Sequence, residues 1–248
     1  MIIVTLIPIL SDNYAYLIQG HDGTTAIIDP GQATPIITHC ETHNIKPDMI
    51  LITHHHWDHM DGVPDILDWH QCPLIGANRG LSRDNAPAKT RVSLPFERIL
   101  KEGDTFTFGG EPVETLHTPG HTPEHLCFHF PQSKTLFSGD TLFAFGCGRL
   151  LDGTAEQMHS SLQKLAALPD DTKIYCGHEY TRANAEFCLT QTPKNTALQS
   201  RYEQIKATRA AGNPTIPFTL SSEKSTNPFL NTKNAAEFAA LRKRKDNF

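Results

Sequence analysis

The chain has 248 residues, with 22 lysines and arginines against 27 aspartates and glutamates, a formal charge of −5 with histidine counted neutral. A chain of this length buries about 70–75% of the surface its unfolded form exposes, so a core needs no disulfide staples, and 20% charged with 8% aromatic residues excludes disorder as the main theme. The mildly acidic balance argues against a nucleic-acid partner, which calls for a basic face. The anomaly is histidine, at 14 residues.

In chain order, the first two thirds are written in short β-rich runs separated by turn chemistry. Strands are predicted over Ile2 to Leu10, Tyr14 to Gln19 and Thr25 to Ile28, with Asp29-Pro30-Gly31 as a stop. A helix follows from Thr34 to Asn44, and the wholly apolar Met49-Ile50-Leu51-Ile52 suits a strand buried on both faces. Further strands are expected at Leu74 to Gly76, Asp104 to Phe108, Val113 to Leu116, Leu126 to Phe130 and Thr135 to Ser138. Thr154 with Gln157 is a capping-box pair opening a helix whose Met158, Leu162, Leu165 and Leu168 recur at helical spacing. One more strand, Lys173 to Cys176, precedes helical patterns at Arg182 to Gln191, Ala197 to Ala211 and Asn234 to Lys245, while Gly212 to Leu230, rich in Pro, Ser, Thr and Asn, reads as a long surface connection. The chain is thus a layered β-rich body, residues 1–170, with a mainly helical C-terminal part, residues 171–248.

Six scattered cysteines without a C-x-x-C pair read as reduced thiols of a cytoplasmic protein. The apolar start lacks a basic n-region and a small-residue cleavage site and contains Pro8, so it reads as a strand and not as a signal peptide. No apolar run reaches the roughly 18 residues of a membrane span. A monomer with no membrane partner is expected.

The chemistry concentrates where strands end. After the buried strand comes His54-His55-His56-Trp57-Asp58-His59. On an extended backbone residues two apart face one way, so His54 and His56 converge on one point, and Asp58 and His59, where the chain turns, aim at a second. These are ligand types that zinc, iron and manganese accept. A polar turn is the plain alternative, but four imidazoles and a carboxylate at the end of a buried strand point to metal. His117, His121, His125 and His129 recur every four residues, yet Pro119, Gly120 and Pro123 forbid a continuous helix. Only some of them can share a site. His121, in the loop Thr118-Pro119-Gly120-His121, is the best ligand candidate, and the others suit supporting roles. Ser138-Gly139-Asp140 and Cys176-Gly177-His178-Glu179 repeat the pattern of a strand ending in a turn and a polar tip.

Taken together, T-H-H-H-W-D-H at 53–59, T-P-G-H-T at 118–122, S-G-D-T-L-F at 138–143 and C-G-H-E-Y at 176–180 resemble the metallo-β-lactamase superfamily. Within it, G-C-G-R at 146–149, H-E-Y-T at 178–181, N-P-F at 227–229 and L-R-K-R-K-D at 241–246 are most similar to the hydroxyacylglutathione hydrolases (glyoxalase II). The resemblance implies a four-layer αβ/βα sandwich with a smaller helical domain, and two divalent metal ions, zinc foremost with iron or manganese as alternatives. His54, His56 and His121 would hold one ion, Asp58, His59 and His178 the other, and Asp140 would bridge them, with Asp58 and Asp140 as the catalytic carboxylates. Arg149, Tyr180, Arg242 and Lys245 would bind the glutathione moiety. Leu151 stands where family members often carry an aromatic residue. Without the resemblance, the basic run 242–245 is simple capping of a helix C-terminus.

The implied reaction is hydrolysis of S-(2-hydroxyacyl)glutathione thioesters, S-D-lactoylglutathione to glutathione and D-lactate, by a hydroxide bridging the ions, the second step of methylglyoxal detoxification. A catalytic metal lowers the pKa of bound water from 15.7 to about 7. A thiol pKa near 8.5 lets the thiolate depart unprotonated, so no Ser/His/Asp nucleophile is required. Persulfide dioxygenases, which use one iron, and lactonases or β-lactamases share the pattern and are the competing readings. The Asp58-His59 pair and the R-x-x-K ending favour the thioesterase.

Overall fold

The computed structural model describes residues 1–77 and 94–248, which form two compact units, one of residues 1–117 with 124–133, the other of residues 118–123 with 134–248. In the first unit six strands form a sheet in sequential order: β1 (Ile3–Ile9), β2 (Asn13–Gln19), β3 (Thr25–Ile28), β4 (Met49–Ile52), β5 (Leu74–Gly76) and β6 (Phe96–Ile99). Pairing is antiparallel from β1 to β3 and parallel from β3 to β6. Parallel neighbours need crossovers. Helix α1 (Ala33–Thr42) supplies one, while α2 (Trp57–Met60) and α3 (Val63–Trp69) supply the next. Ile50, Leu51 and Ile52 are wholly buried, as the unbroken apolar run required.

Ile36, Cys40, Val63 and Ile66 pack from the helices onto Ile7, Leu17, Ile27, Ile50 and Ile52 of the sheet, forming this unit's core. β7 (Thr105–Phe108), β8 (Glu111–His117) and β9 (Leu126–Phe130) follow as an antiparallel meander. The break between His117 and Leu126 shows that the histidines spaced by four lie on strand, loop and strand, as the prolines dictated.

In the second unit β10 (Thr135–Gly139) pairs parallel with β13 (Lys173–Cys176), which pairs antiparallel with β14 (Phe218–Thr219). A small hairpin joins β11 (Leu142–Phe143) to β12 (Gly146–Cys147). Helix α4 (Ala155–Ala166) opens on the predicted capping box, with Thr154 and Gln157 exchanging side-chain-to-backbone hydrogen bonds. The helical part holds α5 (Thr181–Gln191), α6 (Thr196–Ala210), α7 (Leu220–Thr226) and α8 (Ala235–Asp246).

One expectation is overturned. Gly212 to Leu230 is not a surface connection but holds β14 and α7, with Phe218, Leu220, Glu223, Asn227 and Phe229 buried. The polar residues that suggested exposure bond inward instead, a choice made by partners distant in sequence. The short elements α2, α3, β6, β11 and β12 were not foreseen, because runs of two to seven residues carry too little period to read.

Candidate metal centre

In the first unit the chain leaves β4 extended, with His56 at φ −68° and ψ 143°, and turns into α2 at Trp57. The side chains of His54 and His56 therefore meet, Nε2 of one lying 3.1 Å from Nδ1 of the other. His59 sits on the helical turn with its Nε2 3.7 Å from Asp58 Oδ2. His54 and His59 are buried, and Asp58 is partly exposed. Asn13 Nδ2 donates to Asp58 Oδ2 at 3.0 Å and fixes that carboxylate.

Asp29 is the residue that sequence reasoning missed, having read Asp29-Pro30-Gly31 as punctuation. Its buried carboxylate accepts the Thr53 backbone N–H at 2.8 Å and the Thr53 hydroxyl at 2.6 Å, and its Oδ2 lies 3.0 Å from His59 Nδ1. It thereby turns His59 Nε2 away from itself, the arrangement by which a carboxylate orients a metal-binding imidazole. Asp29, His54 and His59 bring ligand atoms within 4.8 Å of one another. Its backbone is left-handed, φ +51°, at the tip of a strand neighbouring β4. His125, given a supporting role, is fully buried with its ring stacked 4.8 Å from that of His54. His129 bonds Glu114 across β8 and β9 at 2.8 Å.

In the second unit Asp140, His121 and His178 come together. Asp140 Oδ2 lies 3.3 Å from His121 Nε2 and 3.3 Å from His178 Nε2, so one carboxylate oxygen serves two imidazoles. All three side chains are buried. Gly139, at φ +46°, makes the left-handed turn that lifts Asp140 off β10, and Gly177 N–H donates to the Gly139 carbonyl at 2.9 Å, joining the two strand tips. His121 Nδ1 lies 2.8 Å from the Arg149 carbonyl, which directs Nε2 toward Asp140. A Cβ on Gly148 would stand 2.0 Å from the Asp140 carbonyl and 3.1 Å from the His121 ring, so only glycine lets the chain pass there.

The four proposed glutathione contacts differ in setting. Tyr180, 38% exposed, stacks on His178 at 4.6 Å and 7°, with Phe143 edge-on to both rings. Arg149 is exposed, and it is its backbone carbonyl that lies against His121 Nδ1. Arg242 is buried; its Nη1 donates to the Cys147 carbonyl at 3.1 Å, and Nε and Nη2 both reach Asp246. Lys245 Nζ donates to the Ala183 carbonyl at 3.1 Å and sits over the rings of Phe187 and Phe248. Burial, with the charge of Arg242 beside it, holds the Lys245 ammonium below its ordinary pKa. The donor set of imidazole nitrogens and carboxylate oxygens, buried and directed by partners behind them, fits divalent cations. The thiols do not compete for this role: Cys147 is pushed up to about 11 by burial, and Cys176 and Cys188 are raised for the same reason.

The sequence profile of the metallo-β-lactamase superfamily matches residues 10–178, and that of the hydroxyacylglutathione hydrolase C-terminus matches residues 179–248. A hydroxyacylglutathione hydrolase of Ruegeria pomeroyi is 45% identical, over 99% of this chain and 98% of its own. One of Xylella fastidiosa is 47% identical over 92% of this chain and 84% of its own. The crystal structure of ETHE1 from Myxococcus xanthus superposes with a TM-score of 0.71 at 23% identity, covering 97% of this chain and 90% of that one, a likeness of fold. The mixed sheets, the flanking helices, the helical C-terminal region and these matches over both parts of the chain place it in the metallo-β-lactamase superfamily, in the hydroxyacylglutathione hydrolase family.

Proposed function

We propose that the chain is a metal-dependent hydrolase of S-(2-hydroxyacyl)glutathione thioesters, S-D-lactoylglutathione foremost, yielding glutathione and a 2-hydroxy acid as the second step of methylglyoxal detoxification. The observation that supports this reading is Asp140 Oδ2, 3.3 Å from Nε2 of both His121 and His178, one carboxylate oxygen beside two imidazoles. His54, His56 and His121 would hold one ion, with zinc a suitable choice for this donor set, and Asp58, His59 and His178 would hold the other, Asp140 serving both. When bound, such ions make water acidic enough to act as nucleophile near neutral pH and polarise the carbonyl under attack.

The protein's own groups do the rest. Asp29 and the Arg149 carbonyl hold His59 and His121 in the ring orientation that presents Nε2. Asn13 holds Asp58. Arg149, Arg242 and Lys245 meet the carboxylates of glutathione by charge-assisted hydrogen bonds, and Tyr180 offers a hydroxyl and a ring face. Residues 1–170 carry every proposed metal ligand except His178, and residues 171–248 every proposed substrate contact except Arg149. No side chain needs to protonate the leaving group, because a thiol with pKa near 8.5 departs as thiolate. The reduced cysteines support a cytoplasmic setting, and the protein acts as a monomer on a small-molecule substrate, without nucleic acid. Among the described residues no helix is long and apolar enough to cross a membrane.

Metal content per chain and thiol release from S-D-lactoylglutathione, measured on one preparation, test the proposal. Two divalent ions per chain with thioester loss that disappears on chelation are expected. One iron per chain, with oxygen uptake and an intact thioester, would move the protein to the dioxygenase class and sink the hydrolase reading.

A further inference from the structure

The hairpin Leu142–Cys147 joins Asp140 of the ligand triad to Arg149, whose carbonyl supports another member, His121. Asp140 lies two residues before it. Arg149, whose carbonyl directs His121 at 2.8 Å, lies two residues after it. Gly148 N–H donates to the Thr141 carbonyl at 3.2 Å and ties the two ends together. The hairpin also carries Phe143, whose ring stands against those of Tyr180 at 5.4 Å and His178 at 6.0 Å. Any displacement of the hairpin therefore moves Asp140, the acceptor for His121 and the wall behind His178 together.

Its turn is poorly suited to hold itself. Two-residue hairpins favour turns with positive φ at the first central residue, because that twist matches the strands. Here the left-handed residue is the second, Phe145 at φ +59°, where such a turn asks for glycine or asparagine. The chain supplies a phenylalanine, so the conformation must be imposed from outside.

The helical segments impose it. Asn184 of α5 donates from Nδ2 to the Ala144 carbonyl at 3.1 Å, and the Cys188 thiol donates to the Phe145 carbonyl at 3.1 Å. Glu223 of α7 accepts the Phe145 N–H at 2.7 Å. Asn227, just past α7, donates from Nδ2 to the Gly146 carbonyl at 3.1 Å, to the Phe143 carbonyl at 3.3 Å and to Glu223 Oε2 at 3.0 Å. Arg201 of α6 pairs with Glu223 at 2.6 Å and lies over the Phe145 ring at 4.0 Å. One ion pair, between fully buried Glu223 and partly buried Arg201, thus grips Phe145 by its backbone and by its ring. A buried charge is costly and is often replaceable by apolar packing without loss of stability, so its presence here is explained by the directed contact it makes and not by its contribution to the core.

We propose that Glu223 and Asn227 are positioning residues for His121, Asp140 and His178, acting through the hairpin Leu142–Cys147; the proposal rests on the reading of those three residues as metal ligands. The polar stretch that resembles a surface linker is, on this view, the part of the helical region that sets the geometry of the ligand triad.

The test compares Asn227→Ala with Asn231→Ala, whose side chain bonds the carbonyls of Lys224 and Asn227 on the same segment and serves as the control for general loosening. In metal-free protein, imidazole ¹⁵N spectra should show His121 as the Nδ1–H tautomer in the wild type and in Asn231→Ala, but a mixture of tautomers in Asn227→Ala. Competition with a chromophoric chelator should show zinc binding weakened about 10–100-fold in Asn227→Ala, the usual effect of losing the partners behind a ligand, and unchanged in Asn231→Ala. Wild-type spectra and zinc affinity in Asn227→Ala would overturn the proposal, as would an equal loss in Asn231→Ala. A wild-type protein that binds no zinc would instead overturn the functional reading, leaving the His121 spectrum to decide the positioning role. Should Asn227→Ala fail to fold, Asn227→Ser, which keeps one donor, carries the same expectation and the same refutation.

Discussion

At the scale of single residues, the most informative group is Lys245. Its ammonium is half-buried over two aromatic rings and beside Arg242, and both burial and the neighbouring charge disfavour protonation, so it titrates below the ordinary 10.5. The sign follows directly: as pH rises through this lowered value, the cation is lost before an exposed lysine would lose its own. If Lys245 binds a glutathione carboxylate, KM for S-D-lactoylglutathione rises on the alkaline side earlier than an ordinary lysine would allow, while Lys245→Arg, charged throughout, keeps KM flat. The same alkaline rise in Lys245→Arg would remove Lys245 as its source. Asp29 shows what a single residue can hide. Asp-Pro-Gly is a turn by composition, and the same aspartate also orients His59, because β3 and β4 are parallel neighbours and end side by side.

At the scale of elements, α4 is where local chemistry and site geometry meet. Its capping box was legible because both partners lie within four residues. Its consequence was not: the Ser161 hydroxyl donates to the Pro119 carbonyl at 2.8 Å, and Gly120 leaves room for Met158, so α4 backs the loop that carries His121. Thr154→Ala should lower stability by about 1 kcal/mol, a fall of roughly 2–4 °C in a chain of this size, measurable by thermal unfolding with the far-ultraviolet spectrum unchanged. A melting point equal to the wild type's would show that the cap is replaced by water. The contrast with α7 is physical. Its sequence Leu220–Thr226, L-S-S-E-K-S-T, has too few turns to show a period, and the groups that bury Glu223 and Asn227 lie 22 to 84 residues away.

At the scale of the whole molecule, the proposed ligands come from widely separated stretches, residues 54–59, 121, 140 and 178, so on this proposal cations would bind the native chain and not the unfolded one. Free zinc at a thousand times its dissociation constant then adds about 4 kcal/mol, and stripping it should lower the melting temperature by roughly 10 °C. The fall should scale with the logarithm of free zinc. A melting curve indifferent to zinc and to chelator would show that these residues form no metal site. What the sequence by itself determined is what depends on near neighbours: the buried strand Ile50 to Ile52, the convergence of His54 and His56 at its end, the cap of α4, and the motif order that marks the family. The tertiary structure alone decided what depends on distant partners: Asp29 behind His59, the Arg149 carbonyl behind His121, and the burial of Glu223 and Asn227 against a hairpin some 80 residues upstream. A polar side chain looks the same in sequence whether it faces water or a buried carbonyl; only the folded chain brings the partner within hydrogen-bonding distance.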